Sequence, residues 1–561
     1  MNKQFTTLHY LIAMLKAYKI NHIVASPGAR NSAFNNFVQD DNDFICTSVI
    51  DERSAAYVGL GIAREDNSPV VLSCTGATAS RNYLSALTEA YYSETPLIAL
   101  TFYPYTNNKY NLAPQYVDRS ISQNDIKTIS VELPQIKDDE DRVRFLTLLN
   151  AALSTAKYKK MPVHINCPSS TNYAMTKELP KNIWITEYYR SNFARFKQYL
   201  VGKKFAIFIG QHNSFTSDEI DSINTFVKSW NIPVFCDNTS NYYGENKIML
   251  SQYVNMQRYH GELELIIDIG NICGEYSHEI LYKNTEVWRI SKNGDFKCRN
   301  SKPVSKTFYC EENYFFTTMT NDENLPKLEF YNDVKAKLEQ IIIPSLPLSN
   351  ALICQSLAKY LPKRSTLHLS ILNSLRNMNF FELDNSIETT CNVGGFGIDG
   401  PVSTLVGQSL ANYNKKYFGL IGDLAFFYDM NAIGIRHIQD NLRIIVINNN
   451  LGVEFRVNPY MEDFLHDKIN NLIAAAGHNK GGAKGWAESC GFKYMQANNK
   501  EEFLNQIDDF CNKKFDNPVL FEVFTTIQDE QQALKFMQNF NRNKIEETFI
   551  KGYKAIKRLI K

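Results

Sequence analysis

The sequence predicts an α/β fold: three consecutive doubly wound parallel-sheet domains. Two observations predict it. Short apolar runs closed by Gly, Ser or Pro alternate with longer helical segments, and this alternation starts afresh twice within 561 residues. A chain of that length exceeds one core and fits about three domains at the usual ~150 to 200 residues each.

The first twenty residues place apolar side chains at helical spacing, broken by Lys16 and Lys19. No small-residue cleavage site follows, so they read as a first amphipathic helix. Buried-strand candidates come next at His22–Ala25, Val70–Ser73, Leu97–Thr101 and Val163–Asn166, with amphipathic stretches at Arg53–Arg64 and Asn82–Tyr92 between them. They make a first domain over residues 1–180. The polar, irregular stretch 172–195 separates it from a second series, Phe205–Gly210, Pro233–Cys236, Leu263–Ile269 and Glu286–Ile290, giving a central domain over 195–325. A charged stretch at 320–339 and the proline-bearing IIIPSLPLSN lead to a third domain over 345–561. Its strand candidates are Thr366–Leu369, Tyr417–Ile421, Leu442–Ile447 and Val519–Phe524. The tail 529–561 reads as terminal helices with a solvated basic face.

Composition excludes several classes of function. An apolar fraction of 44% with 21% charged residues is ordinary for a soluble globular chain, and no run approaches the ~20 apolar residues of a membrane span. Net charge is +1, which supplies no field for nucleic acid, so the expected ligand is small. Eleven cysteines without CxxC pairs argue against a disulfide framework and a zinc site. Reduced, buried thiols in the cytoplasm are the expectation.

Chemistry concentrates in the third domain. Ile421-Gly422-Asp423 closes a buried strand and opens a helical pattern, and Ile444–Ile447 runs straight into Asn448-Asn449-Asn450. Each alone is ordinary turn chemistry. Together, at this spacing, they resemble the Gly-Asp-Gly…Asn-Asn diphosphate motif of thiamine-diphosphate enzymes. That resemblance implies thiamine diphosphate and Mg2+ as cofactors. Mg2+ takes hard oxygen donors in near-octahedral geometry, which suits a carboxylate, an amide oxygen and a backbone carbonyl. Asp423 and Asn449 are the implied side-chain ligands, with Asn450 in place of Asn449 in a shifted register, and the Leu451 carbonyl completes the set. Gly422 and Leu424 flank the aspartate, and exposed N–H groups at this helix start favour phosphates. Leu424 departs from the pattern, which has glycine there.

Two further pieces fit the same family. Thr47–Ile50 reads as a short strand running into Asp51-Glu52-Arg53 and a small-residue helix. Glu52 lies where these enzymes use a glutamate to hydrogen-bond N1′ of the aminopyrimidine, a task that burial in a partly apolar pocket would favour. The glycine-dense run from Asn392 to Gly400 marks a loop of unusual backbone conformation, and Ile398 is the implied prop that bends the cofactor. Its alternative is a core isoleucine anchoring a loop.

Within the family the chain resembles the 2-succinyl-5-enolpyruvyl-6-hydroxy-3-cyclohexene-1-carboxylate synthases. The matching pieces are Ser26-Pro27-Gly28-Ala29-Arg30, Asp51-Glu52-Arg53, the segment from Val163 to Pro168, Asn373-Ser374, Gly397-Ile398-Asp399-Gly400 and the two diphosphate motifs. The branch decarboxylates a 2-oxo acid and transfers the acyl carbanion equivalent to an acceptor. The resemblance implies a homodimer or dimer of dimers, each cofactor lying between the first domain of one subunit and the third of the next. Substrate-site candidates are Arg30, Gln115, Ser374 and Arg376. Three family arginines are missing: one falls in Phe102-Tyr103-Pro104, one at Met378 and one at Val393. Each is worth about 1.5 to 3 kcal/mol as a charged hydrogen bond, so their loss implies a less acidic substrate pair, such as a keto sugar acceptor. Arg81, Arg119 and Arg456 are the candidates for compensation. The alternatives are a retained menaquinone-pathway synthase, a simple 2-oxo acid decarboxylase and a non-catalytic cofactor-binding relative.

Overall fold

The computed structural model describes residues 5–104, 115, 123–169, 177–256, 263–274, 276–282, 284–294, 299, 303–457 and 469–539. Arg119, residues 172–176 and the tail beyond 539 lie outside these. The strands are β1 (His22–Ala25), β2 (Ile45–Ser48), β3 (Val70–Thr75), β4 (Leu97–Tyr103), β5 (Ile129–Glu132) and β6 (Val163–Pro168), then β7 (Glu187–Tyr189), β8 (Phe205–Ile209), β9 (Val234–Cys236), β10 (Lys247–Met249), β11 (Leu265–Ile269), β12 (Glu286–Ile290) and β13 (Lys306–Phe308). β14 (Thr366–Leu369), β15 (Glu388–Cys391), β16 (Tyr417–Gly422), β17 (Leu442–Asn448), β18 (Lys493–Ala497) and β19 (Val519–Phe524) complete the series. The fold is α/β with three parallel sheets, as the alternation of runs predicts.

The chain divides into two compact units, 1–192 with 286–310 and 193–285 with 311–561. The first contains a six-stranded sheet in the order β2-β1-β3-β4-β6-β5. The strands of the middle series are shared out: β7, β12 and β13 belong to the first unit, and β8 to β11 to the second. The second unit also contains a six-stranded sheet in the order β15-β14-β16-β17-β19-β18. Parallel strands covered on both faces read as continuous apolar runs, and all seven residues of both β4 and β17 are buried.

In each six-stranded sheet the order reverses beside one strand. β1 lies between β2 and β3, and β14 lies between β15 and β16. Helices leave to opposite faces at such a point, which opens a crevice at the carboxyl ends of the strands. The Ser26–Arg30 loop follows β1, and Ser370 and Ser374 follow β14. Both candidate half-sites therefore sit at switch points.

Two expectations need correction. The first helix, Thr7–Ala17, is not half-solvated: every residue from Thr7 to Leu15 is buried, and Tyr18 beyond it donates to Asn150 Oδ1 at 2.6 Å. The strand before Glu52 spans Ile45–Ser48 rather than reaching Ile50, whose side chain is 86% exposed. An edge strand with exposed side chains lacks the apolar run that marks its neighbours.

A buried carboxylate ties two helices together in the second unit. Glu530, in helix Ile527–Asn539, accepts from Asn350 N at 3.1 Å and Thr525 Oγ1 at 2.9 Å. The Asn350 amide is one of the unpaired donors at the start of helix Asn350–Tyr360. Full burial pushes Glu530 up to about 7, although these bonds oppose the shift. A carboxyl raised in the folded state binds its proton there while the unfolded chain has released it, so stability falls as pH rises from the ordinary glutamate value to about 7. The expected outcome is a decline in melting temperature across that window, flattened in Glu530→Gln, as thermal melts at stepped pH will read.

Candidate active site

Asp423 opens the six-residue helix Asp423–Tyr428 at the end of β16 and is 3% exposed. Its Oδ1 accepts from Leu424 N at 2.8 Å, and its Oδ2 from Asn450 N at 2.6 Å. The second bond joins the ends of β16 and β17, so the structure brings together the two motifs that the sequence spaces 27 residues apart. Burial raises the Asp423 carboxyl to about 6, while nearby His478 and the amide bonds pull it down. A carboxylate this short of compensation is suited to a cation.

The asparagine run divides its labour. Asn448 Nδ2 donates to Glu522 Oε1 at 2.6 Å, and its Oδ1 accepts from Asn450 N at 3.0 Å. Asn450 takes a left-handed φ of 59°, and its Oδ1 accepts from Asn479 N at 3.4 Å. Asn449 Oδ1 is sealed from solvent without a hydrogen-bond partner among the described residues. Buried amide oxygens are rarely left so, and an orphaned acceptor close to a buried carboxylate fits a metal ligand. Of the two asparagines, Asn449 offers the free oxygen. The Leu451 carbonyl accepts from Val453 N at 2.9 Å and retains a second lone pair. No three His, Cys, Asp or Glu side chains gather among the described residues, so a metal here draws on amide and carbonyl oxygens.

Leu424 N is occupied by the Asp423 carboxylate, so it is not the open phosphate donor that the sequence suggests. Gly422 N donates to Ser370 Oγ at 3.3 Å, and Ser370 donates onward to Ser374 Oγ at 3.0 Å. Ser374 is 3% exposed and therefore braces the strand ends from beneath. Leu372, just before it, holds φ 65°, a conformation that a non-glycine residue adopts only when the surroundings impose it. Arg376 is ion-paired with Glu454 at 2.5 Å. Ile398 is half-buried and packs against both hydrophobic clusters that flank the sheet of this unit.

The other half-site is in the first unit. Asp51 caps helix Glu52–Asp66 by accepting from Arg53 N at 3.0 Å, which leaves the half-buried Glu52 as its first residue. Arg30 and Gln115 meet at 3.4 Å on the surface. The loop that carries Arg30 is fixed by Asn31, whose Nδ2 donates to Ser26 O at 3.0 Å and Ser73 Oγ at 2.9 Å. Gly28 presses against β3: a Cβ there would stand 2.3 Å from Thr75 Oγ1. An open cavity of about 740 Å³ borders Pro27, Gly28 and Ser48 without including Glu52 or Arg30.

Residues 5–126 match the family model described as "Thiamine pyrophosphate enzyme, N-terminal TPP binding domain". This segment is therefore similar to the N-terminal domain of thiamine-diphosphate enzymes. Similarity extends along the rest of the chain. A 2-succinyl-5-enolpyruvyl-6-hydroxy-3-cyclohexene-1-carboxylate synthase of Phocaeicola vulgatus is 29% identical, over 96% of this chain and 98% of its own. The synthases of the same name from Bacteroides fragilis and Staphylococcus haemolyticus are 29% and 25% identical, covering 94% and 82% of this chain and 97% and 85% of theirs. The matched segment contains Arg30, Glu52 and Gln115.

Sequence reasoning passes over the group that supports the diphosphate half-site. Glu522 is fully buried and accepts from Asn448 Nδ2, from Tyr494 Oη at 2.8 Å and from Ala483 N at 2.9 Å. The signal was there: one acid inside the apolar run Val519–Phe524. Glu522→Ala strands two buried donors, at about 1 to 3 kcal/mol each, and the half-buried Tyr494 hydroxyl, with some relief by water. It should lower the unfolding free energy by about 3 kcal/mol or more in urea melts and abolish magnesium-dependent thiamine-diphosphate binding.

Proposed function

We propose that this chain is a decarboxylating carboligase of the 2-succinyl-5-enolpyruvyl-6-hydroxy-3-cyclohexene-1-carboxylate synthase type, using thiamine diphosphate and Mg2+. The observation that carries the reading is the orphaned Asn449 oxygen beside the buried, hydrogen-bonded Asp423 at the strand switch point. Asp423, Asn449 and the Leu451 carbonyl would hold the metal, which would anchor the diphosphate at this strand end. Glu52 holds a proton at N1′ of the aminopyrimidine, and Ile398 supports the ring system. When bound, the cofactor supplies the electron sink that lets a 2-oxo acid lose carbon dioxide and pass its acyl group to an acceptor. The protein orients the two substrates and keeps water from the reacting carbon.

The reading includes a homodimer or dimer of dimers in the cytoplasm. Support comes from the surface around Glu52, where Ile50, Tyr57 and Val58 are 86%, 45% and 39% exposed. An apolar surface of this kind beside a catalytic carboxylate suits a second copy of the chain. Among the described residues no helix is long and apolar enough to cross a membrane.

A second reading concerns the acceptor. Met378 and Val393, two of the positions where the resemblance calls for arginine, are 0% and 1% exposed in one apolar core. Arg376 is already paired with Glu454. These observations favour a less acidic acceptor than the synthases take, with a keto sugar as one chemistry that fits.

Isothermal titration of thiamine diphosphate with Mg2+ tests the cofactor assignment. Binding should require magnesium, collapse in Asp423→Ala and persist in Glu52→Gln with turnover reduced a hundredfold or more. Carbon dioxide release from 2-oxoglutarate, assayed with and without isochorismate, then separates the readings. Release stimulated by isochorismate supports the synthase activity; release indifferent to it, but stimulated by a keto sugar, supports the altered acceptor.

A further inference from the structure

We propose that His478 is a cofactor-binding residue whose imidazole donates a hydrogen bond to the diphosphate of bound thiamine diphosphate. The inference deepens the functional reading above and rests on it. Both ring nitrogens of His478 are sealed from solvent and have no hydrogen-bond partner among the described residues. Whichever tautomer is present, at least one nitrogen carries a proton, so a buried donor stands without an acceptor. Native structures seldom retain such a group unless a water, an ion or a ligand completes it.

The ring is next to the metal-binding carboxylate. Nε2 lies 3.9 Å from Asp423 Oδ2, too far for a hydrogen bond, and Phe427 meets the imidazole edge-on with centroids 5.8 Å apart. The side chain is only 14% exposed. An aromatic wall on one side and an aspartate on the other leave the donor beside the group that would bind the metal of a metal–diphosphate pair.

The backbone fixes this placement. Gly477 N donates to Asn450 O at 2.9 Å and Asn479 N to Asn450 Oδ1, so the residues on both sides of His478 are tied to the asparagine that bonds Asp423. Ala475 and Gly477 hold φ 48° and 74°, and Asn479 Oδ1 accepts from Gly481 N at 2.8 Å and Gly482 N at 3.0 Å. Ala483 N then bonds Glu522, the same carboxylate that holds Asn448. A loop anchored at both ends to the asparagine run presents His478 to whatever the run binds.

Diphosphate is the better partner than the metal. Mg2+ prefers hard oxygen donors, and imidazole nitrogen serves softer ions. Phosphate oxygens accept strong hydrogen bonds from buried N–H groups.

The test is isothermal titration of thiamine diphosphate with Mg2+ into the full chain and into His478→Phe and His478→Gln. Phenylalanine keeps the ring without a donor, and glutamine keeps a donor without the ring. The expected result is a loss of tenfold or more in thiamine-diphosphate affinity for His478→Phe and substantial recovery in His478→Gln. Mn2+ binding without thiamine diphosphate, read by electron paramagnetic resonance, should be unchanged in both. Wild-type affinity in His478→Phe overturns the inference and leaves the function intact. Loss of Mn2+ affinity in the absence of thiamine diphosphate overturns it in favour of metal ligation. A wild-type chain that binds no thiamine diphosphate overturns the functional reading and this inference with it.

Discussion

The hydrogen bond from Asn450 N to the buried Asp423 carboxylate is the contact on which the diphosphate half-site depends. It closes the gap between the ends of β16 and β17, and Asn450 in turn holds the loop of Gly477 and Asn479. Burial penalises the charge on Asp423 more than its two amide bonds relieve it, since its carboxyl stays raised to about 6. That imbalance is unfavourable to the empty fold. It becomes useful only where a cation enters, because a divalent ion reverses the sign of the local field.

The same logic explains why Glu522 lies beneath this site. Three donors converge on it from Asn448, Tyr494 and Ala483, which belong to one strand end, a neighbouring strand and the loop beyond His478. Gly482 passes so near that a Cβ would come within 3.1 Å of its carboxylate, and its φ of 64° is one that glycine tolerates best. A fully satisfied buried carboxylate of this kind makes the positions of three elements interdependent. Asn449 Oδ1 and the His478 ring nitrogens, the atoms proposed to meet the ligand, are by contrast left unsatisfied among the described residues. Support is saturated while the binding face is open.

Legibility in the sequence followed the physics of burial. β1, β12, β14 and β19 match the predicted runs to the residue, because a parallel strand covered on both faces is mostly apolar even where it admits a single polar side chain or two. β2 is read two residues late, β5, β15 and β18 are edge strands with polar or exposed side chains that no apolar run marks, and β7, β10 and β13 are three residues each, too short to carry a pattern. Asp423 and the asparagine run were readable because each closes a strand of that legible kind. The roles of Glu522 and His478 were not, since they come from contacts 28 to 74 residues away in the chain or from no contact at all. Ser374 was recognised from its motif, yet its hydroxyl faces Ser370, a packing outcome that no spacing rule conveys.

The missing arginines are a different kind of departure from an ordinary surface substitution. Met378 and Val393 share their core with Leu375 and Phe381, and Gly274 leaves the space that Leu375 and Val393 fill: a Cβ there would stand 2.4 and 2.8 Å from their side chains. An arginine at either position, in the present packing, would bury a guanidinium within that apolar core. That placement costs several kcal/mol, of order 3 or more, unless the charge is paired. The only arginine close by in sequence, Arg376, already neutralises Glu454. At Met378 and Val393, then, packing opposes a single substitution to arginine, because the interior around β14 and β15 is apolar at these two positions. The residues that the diphosphate motif implies are present where these arginines are not, as expected where the demands of a cofactor are fixed and those of a substrate vary.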